Sequence, residues 1–309
     1  EDIVLAPVLL PMSHEQYIAA YKVSDDSLEK ININNITYED SSLLVVGDEL
    51  SGLTTCLQYL ILKSSQKING VYPVYIDTRK LSQKNSLKRL IKDYALNNRI
   101  ISKPNDALPP IALALDNLAP RRSAYIENLL NSVKEINCKF LVFGCRNIDQ
   151  PAINQEFNSC NYILSSTLYL GKFGQLEVQK LTDIVAPNNV NSSIADTVLE
   201  IASREHLPRT PFNLALLVSL VINAKKQEQN YKSETALLED YIKLVLNRFD
   251  NNQHIDLDIK NRETILMEIA EYFILKNKSS DNKSDVLKVV ESTNKKYGWG
   301  IHSSQTLDS

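Results

Sequence analysis

Apolar residues along the chain follow two regimes, and the change between them falls near residue 170. Between residues 41 and 170, short continuous apolar runs at 43–46, 74–76, 111–115, 140–143 and 162–170 alternate with longer stretches at helical spacing, at 54–64, 84–97 and 122–137. Short runs without polar interruption are strands buried on both faces, and helices between them make the connections parallel. The pattern therefore predicts an α/β fold with a parallel sheet sandwiched by helices. From residue 173 the strand signal is gone. Leu176, Leu181, Ile184 and Val185 recur at helical spacing, as do Ile194, Val198, Ile201 and Ala202. So do Leu237, Tyr241, Leu244, Val245 and Phe249, and then Leu266, Ile269, Ala270 and Phe273. Polar stretches at 250–252 and 279–283 read as loops. The chain divides into an entry segment (1–40), an α/β domain (41–172), a small helical domain (173–232) and a helical or winged-helix-like piece (233–309).

Composition narrows the function without naming it. The 309 residues are 43% hydrophobic and 23% charged, an ordinary globular mix long enough for two domains. Lys plus Arg is 34, Asp plus Glu is 37 and the net charge is -3, which argues against a polybasic membrane binder and gives no strong nucleic-acid signal. No apolar run approaches the roughly 18 residues of a membrane span, so no membrane partner is expected. The apolar N-terminal stretch is broken by Pro7 and Pro11 and lacks a basic leader. Cys56, Cys138, Cys145 and Cys160 have no CxxC or CxxH spacing and read as free thiols in a reducing cytoplasm. His14, His206, His254 and His302 are scattered and make no metal spacing. A start at Glu1 and a polar tail at 302–309 suggest a piece of a longer protein.

The chemistry concentrates in one loop. Gly47-Asp48-Glu49-Leu50-Ser51-Gly52-Leu53-Thr54 follows a buried strand and opens a helix. Both glycines and the hydroxyl of the phosphate-loop pattern G-x-x-x-x-G-K-[ST] are in place, and Leu53 stands where the lysine belongs. Such a loop turns its N–H groups inward at the positive end of a helix dipole. Gly47, Ser51, Gly52, Leu53, Thr54 and Thr55 are therefore nucleotide-binding candidates. Thr54 would reach Mg²⁺; the side chain that neutralises the phosphates during transfer is missing. The run at 111–115 leads into Asp116, which would hold Mg²⁺ through water or else cap a turn. The run at 140–143 leads to Arg146, which would sense a terminal phosphate or else make a surface salt bridge. Taken in order, these features point to a P-loop NTPase fold, with ATP or ADP and Mg²⁺ as ligands.

These residues resemble the STAND NTPases, the signal-transduction ATPases that include the NACHT proteins. The resemblance covers residues 41–275. Beyond the loop, Asp116 and Arg146, it includes Leu168-Tyr169-Leu170-Gly171-Lys172-Phe173, similar to the strand that leads into the family's first helical domain. It also includes Leu207-Pro208-Arg209-Thr210-Pro211-Phe212-Asn213-Leu214. That segment is similar to the family's proline motif, which implies that Pro211 packs on adenine; Pro208 and Pro211 would also start a helix. The patterns at 238–249 and 266–273 resemble the winged-helix part. The resemblance implies effector and sensor domains in the same longer chain, self-association on activation and a place among bacterial defence proteins.

The departures shape the functional expectation. In NACHT-type proteins acidic residues follow the strand aspartate after two positions; here Ala119 and Pro120 stand there, and neither acts as a base. Leu53 and this second loss together point to a degenerate nucleotide switch with weak binding and little or no hydrolysis. The alternatives are an active AAA+-type ATPase that recruits Lys63, Lys67 or Arg146 as its cation, and a nucleotide-free interaction scaffold. Arg121-Arg122 would contact a neighbouring subunit's nucleotide or else start a helix in solvent.

Overall fold

The computed structural model describes residues 5–13, 16–17, 19, 29–48, 50–82, 85–104, 106–120, 125–185, 192–226, 242, 259–278 and 281–299. The chain forms two compact units, residues 1–218 and 219–309. In the first, β1 (Leu9–Leu10), β2 (Ser41–Gly47), β3 (Tyr72–Asp77), β4 (Ile111–Leu118), β5 (Cys138–Arg146) and β6 (Ser166–Leu170) form one six-stranded sheet. Its order is β1-β6-β2-β5-β4-β3. All neighbours are parallel except β1, which pairs antiparallel with β6. The helices of this unit are α1 (Leu53–Lys67), α2 (Leu87–Asn97), α3 (Tyr125–Lys134), α4 (Gln150–Ser159), α5 (Gln175–Val185), α6 (Ser192–Arg204) and α7 (Pro211–Lys226), the last running past the unit boundary.

The period of two along each strand sorts side chains into two layers. Leu44, Val46, Leu113, Leu115 and Phe143 pack on one face with residues of α2, α3 and α4. Leu43, Val45, Ala112, Ala114 and Val142 pack on the other with Cys56, Leu57, Leu60 and Ile61 of α1. Small residues on that second face let α1 lie close to the sheet. A Cβ at Gly144 would come within 2.5 Å of Leu57 Cδ1, so the site tolerates no side chain. On the first face, Phe143, Phe157 and Tyr162 form an aromatic cluster with centroids 5.2–6.1 Å apart.

Several boundaries differ from the sequence expectation, each for a local reason. The entry segment is part of the sheet, because Leu9 and Leu10 pair with Leu170 and Tyr169 and are fully buried. The final run becomes strand only at Ser166; the preceding Tyr162 is drawn into the aromatic cluster. β4 runs past Asp116 to Leu118, with an irregularity in its pairing to β5 between Leu115 and Leu118. Leu176 sits at helical spacing yet is 64% exposed. Residues 175–185, 192–204 and 211–226 are helical, with a turn and an irregular stretch at 205–210, and no described residue after Leu170 is in a strand.

The second unit contains α8 (Ile259–Lys276) and α9 (Lys283–Tyr297). Asn282 caps α9 by accepting from Asp285 N–H, and Gly298 ends it at φ 70°. Ile265 and Val290 make the buried contact, with Ile269 and Trp299 against them. The sequence reading missed α9, whose sparse apolar positions give little periodic signal. Apart from Ile242, which is helical, the expected helix at 237–249 and the loop at 250–252 lie outside the described residues, as do Arg121 and Arg122.

The two-layer core sets a stability expectation. Phe143→Ala removes a fully buried ring from the aromatic cluster and is expected to cost about 3–5 kcal/mol in urea unfolding. Ile163→Ala, at an 88% exposed position, is expected to stay within about 0.5 kcal/mol of the parent.

Candidate functional site

The carboxyl ends of parallel strands are where loops converge in such a sheet, and the loop between β2 and α1 lies there. Leu50 takes φ 60° and Gly52 φ 85°, so left-handed residues two apart fold the loop back on itself. Gly52 is the N-cap of α1 and brings no side chain to cap it. The first turn of α1 therefore presents its N–H groups without a side-chain cap. Leu53 is half-buried and packs on the α1-side core. Ser51 Oγ is buried and has no hydrogen-bond partner among the described residues.

Asp116 is only 1% exposed and is the polar centre of the site. Its Oδ2 accepts from Thr54 Oγ1 at 2.6 Å and from the Tyr75 hydroxyl at 2.7 Å. Its Oδ1 accepts from the Asn117 N–H at 2.7 Å. The predicted pair Thr54 and Asp116 is thus brought into direct contact, although β5 lies between their strands. Three protein donors already occupy this carboxyl, two on Oδ2 and one on Oδ1, which leaves little of its acceptor capacity for Mg²⁺ or its water. Among the described residues no cluster of His, Cys, Asp or Glu could hold a metal ion.

Tyr75 and Asp77, at the tip of β3, were not foreseen. They share a strand face with each other and lie beside Asp116, Asp77 being its register partner. The alternation Tyr75-x-Asp77 at the end of a buried run was the signal available. Burial and then the hydrogen bond to Asp116 push the Tyr75 phenol well above its ordinary value of 10.0. At Asp77 burial acts upward but is outweighed by the hydrogen bonds and charge of Arg79 and the amide of Asn117, so its pKa falls below 3.8. Arg79 holds Asp77 through Nε and Nη2 at 2.7–3.0 Å.

The remaining candidates divide. Gly47 pairs in register with Arg146, but the Arg146 side chain bonds Asp149 at 3.3 Å and is half exposed. Its neighbour Asn147 reaches the loop, donating to Asp48 Oδ1 at 2.6 Å. Pro211 begins α7 and lies against the loop: a Cβ on Gly52 would meet Pro211 Cγ at 3.5 Å. Asn213, buried behind it, donates to the Pro208 carbonyl at 3.0 Å and fixes the turn.

Two adjoining cavities share Ser51, Leu170, Gly171 and Pro211. The first, of about 270 Å³, is apolar and enclosed by Pro7 and Val8 of the entry segment, Thr55 and Cys56 of α1, and Phe173 and Leu181. The second, of about 280 Å³, is more polar and adds Asp48, Asn147, Lys172, Arg209 and Thr210. Lys63 and Lys67 reach neither. They lie about 14 and 20 Å along α1 from Thr54 at 1.5 Å per residue. Lys63 bonds Gln66, and Lys67 bonds the Asn34 carbonyl over the Tyr38 ring. All four cysteines are free, Cys56 and Cys145 fully buried.

A loop between the first parallel strand and its helix, with a buried carboxyl from β4, one strand removed, on the helix hydroxyl, makes this an α/β P-loop fold. No family model matches the chain, and no curated protein matches it. Solved structures show remote likeness. The Aeropyrum pernix ORC2 protein, in ADPNP–ADP complexes, is 14% identical over 94% of this chain and 81% of that one, at a TM-score of 0.44. The Aeropyrum pernix ORC1 protein in complex with DNA is 12% identical over 87% and 75%, at 0.45. A Thermotoga maritima RuvB mutant is 12% identical over 85% and 76%, at 0.43. No described helix is long and apolar enough to cross a membrane.

The Tyr75–Asp116 bond makes a pH prediction. Folding raises the Tyr75 pKa above 10.0, so its contribution is fully present below pH 10 and is lost as pH rises through the folded value. Tyr75→Phe is expected to cost about 1–3 kcal/mol at pH 8, since a buried acceptor loses a donor. The gap between parent and variant should narrow between pH 10 and 12 in denaturant unfolding; a constant gap would contradict the assignment.

Proposed function

We propose that this chain is the nucleotide-switch and oligomerisation core of a STAND, NACHT-like signalling protein of the bacterial defence type. In this reading it is degenerate, binding ADP or ATP weakly and hydrolysing little or none. The observation that carries it is the position of Pro211, which touches the loop at Gly52 and lines both cavities. A base in the apolar cavity would touch the entry segment, α1 and α7 at once. Bound nucleotide would then bias how the helical part sits on the sheet, which is what a switch requires. Gly47, Ser51, Gly52, Thr54 and Thr55 would surround the phosphates and Pro211 the base, while Arg146 reaches the phosphates only by leaving Asp149.

The division into 41–172, 173–232 and 233–309, effector and sensor domains elsewhere in a longer chain, and self-association on activation all belong to the same proposal. The isolated chain is expected to be mostly monomeric. An active ATPase is disfavoured by Leu53, by the absence of an acid at 119 and 120, and by the engagement of Lys63 and Lys67 far along α1. A nucleotide-free scaffold is the second reading. It is favoured by one observation, that Asp116 and Leu53 are satisfied by the protein itself.

A thermal shift with ADP or ATP separates the two, since ligand that binds only the folded state raises the midpoint and a scaffold shows none. Leu53→Lys restores a charge-assisted phosphate contact and is expected to tighten ATP roughly ten- to a hundredfold by calorimetry. Turnover should stay near background, because Ala119 and Pro120 orient no water. Ordinary ATP hydrolysis by the unmodified chain, lost in Asp116→Ala, would overturn the degenerate reading.

A further inference from the structure

The second, polar cavity has a feature that the loop motif does not require: two basic residues from outside the loop, Lys172 and Arg209, line it. Lys172 lies in the linker between β6 and α5, and Arg209 in the lead-in to α7. Their backbones are tied together, since the Phe173 N–H donates to the Arg209 carbonyl at 3.1 Å. The Gly171 N–H donates to the Val8 carbonyl at 2.9 Å, anchoring the same linker to the entry segment. The cations therefore sit on a braced stretch of chain. Among the described residues the one carboxylate lining this cavity is Asp48, which already accepts from Asn147 Nδ2 at 2.6 Å. Lys172 has no carboxylate partner among the described residues. Ser51, whose buried hydroxyl lacks a partner among the described residues, lines the same cavity.

We propose that this cleft is an anion subsite for a polyphosphate chain, in which Lys172, assisted by Arg209, supplies the positive charge that position 53 lacks. The proposal rests on the nucleotide reading for the placement of the base in the adjoining apolar cavity, and adds to it where the phosphate charge is met. The counter-charge comes from the helical side of the cleft and not from the loop. Lys172 belongs to the linker between sheet and helices, so the contact made by the phosphates is also a contact between those two layers. A compact ammonium on a flexible stem suits a phosphate as a point charge, without the fixed fork of arginine.

The test is calorimetric binding of ADP, adenosine and inorganic tripolyphosphate to the whole chain at low ionic strength, where charge contacts are least screened. Lys172→Gln is expected to weaken ADP and tripolyphosphate about tenfold or more and to leave adenosine unchanged; Lys172→Arg should retain most of the affinity, and Lys63→Gln should change nothing. Lys172 is exposed, so these variants are expected to fold as the parent does. Equal tripolyphosphate and ADP affinity in parent and Lys172→Gln overturns the anion subsite while leaving the nucleotide reading intact. Tripolyphosphate binding that depends on Lys172, with no binding of ADP or adenosine, keeps the subsite and overturns the nucleotide reading. Absence of binding by all three overturns both.

Discussion

A carboxyl group with 1% exposure has to find its hydrogen bonds inside the protein, and Asp116 takes them from three separate stretches of chain. Each donor sets a geometric condition. Thr54 can reach it only if the loop after β2 closes tightly and α1 starts against the sheet. Tyr75 can reach it only if β3 pairs with β4 in the register that places Asp77 beside Asp116. Asn117 donates its N–H from a left-handed residue at φ 56°, next to the pairing irregularity. β5, which lies between the loop strand and the Asp116 strand, must leave room as well: a Cβ at Gly144 would come within 3.1 Å of Asp116 Oδ1. Loop, strand order and helix approach are thereby coupled at one buried group, and loss of any one donor would leave an acceptor unsatisfied at a cost of about 1–3 kcal/mol.

What could be foreseen from the residues, and what could not, follows from the range of the forces involved. The parallel sheet was legible because uninterrupted runs such as 111–115 and 140–143 have few other stable solutions. Thr54 and Asp116 were legible as members of one site because Thr54 closes a loop motif of fixed spacing and Asp116 ends a buried run; the direct bond between them was not. Tyr75 was hidden, since an aromatic residue in a strand is usually only packing, and the bond to Asp116 joins residues 41 positions apart. The edge strand at Leu9 and Leu10 was hidden because two residues carry no periodicity; their partners at 169 and 170 supply all the ordering. Lys172 and Arg209 were overlooked for a similar reason: nothing local in Gly171-Lys172-Phe173 says that a turn 37 residues later will bring Arg209 to the same cavity.

Leu53 shows how one substitution can be structurally conservative and chemically decisive. The side chain packs on the core between α1 and the sheet, together with Leu57 and Leu60. It gains burial there, whereas a lysine at the start of the helix would have to keep its ammonium near water or an anion. The backbone consequences of the loop motif survive without the lysine: the left-handed Leu50 and Gly52, the uncapped first turn and the Thr54 contact all persist. Loop geometry and phosphate charge are therefore separable properties: the loop geometry is present here with a leucine at the position where the motif has lysine.

That separation bears on what a ligand at this site could do. In a loop that carries its own lysine, the charge contact lies within one element and is the same however the neighbouring helices sit. Here the cations on hand, Lys172 and Arg209, belong to the linker and the α7 lead-in, and the walls of the apolar cavity come from the entry segment, α1, α5 and α7. A ligand can shift a conformational equilibrium only through the difference in its contacts between states. Contacts shared between the sheet and the helical layer change when those layers move; contacts confined to the loop do not. Under the proposed reading, a counter-charge placed off the loop would weaken the site as a catalyst and increase the fraction of its binding free energy that depends on conformation.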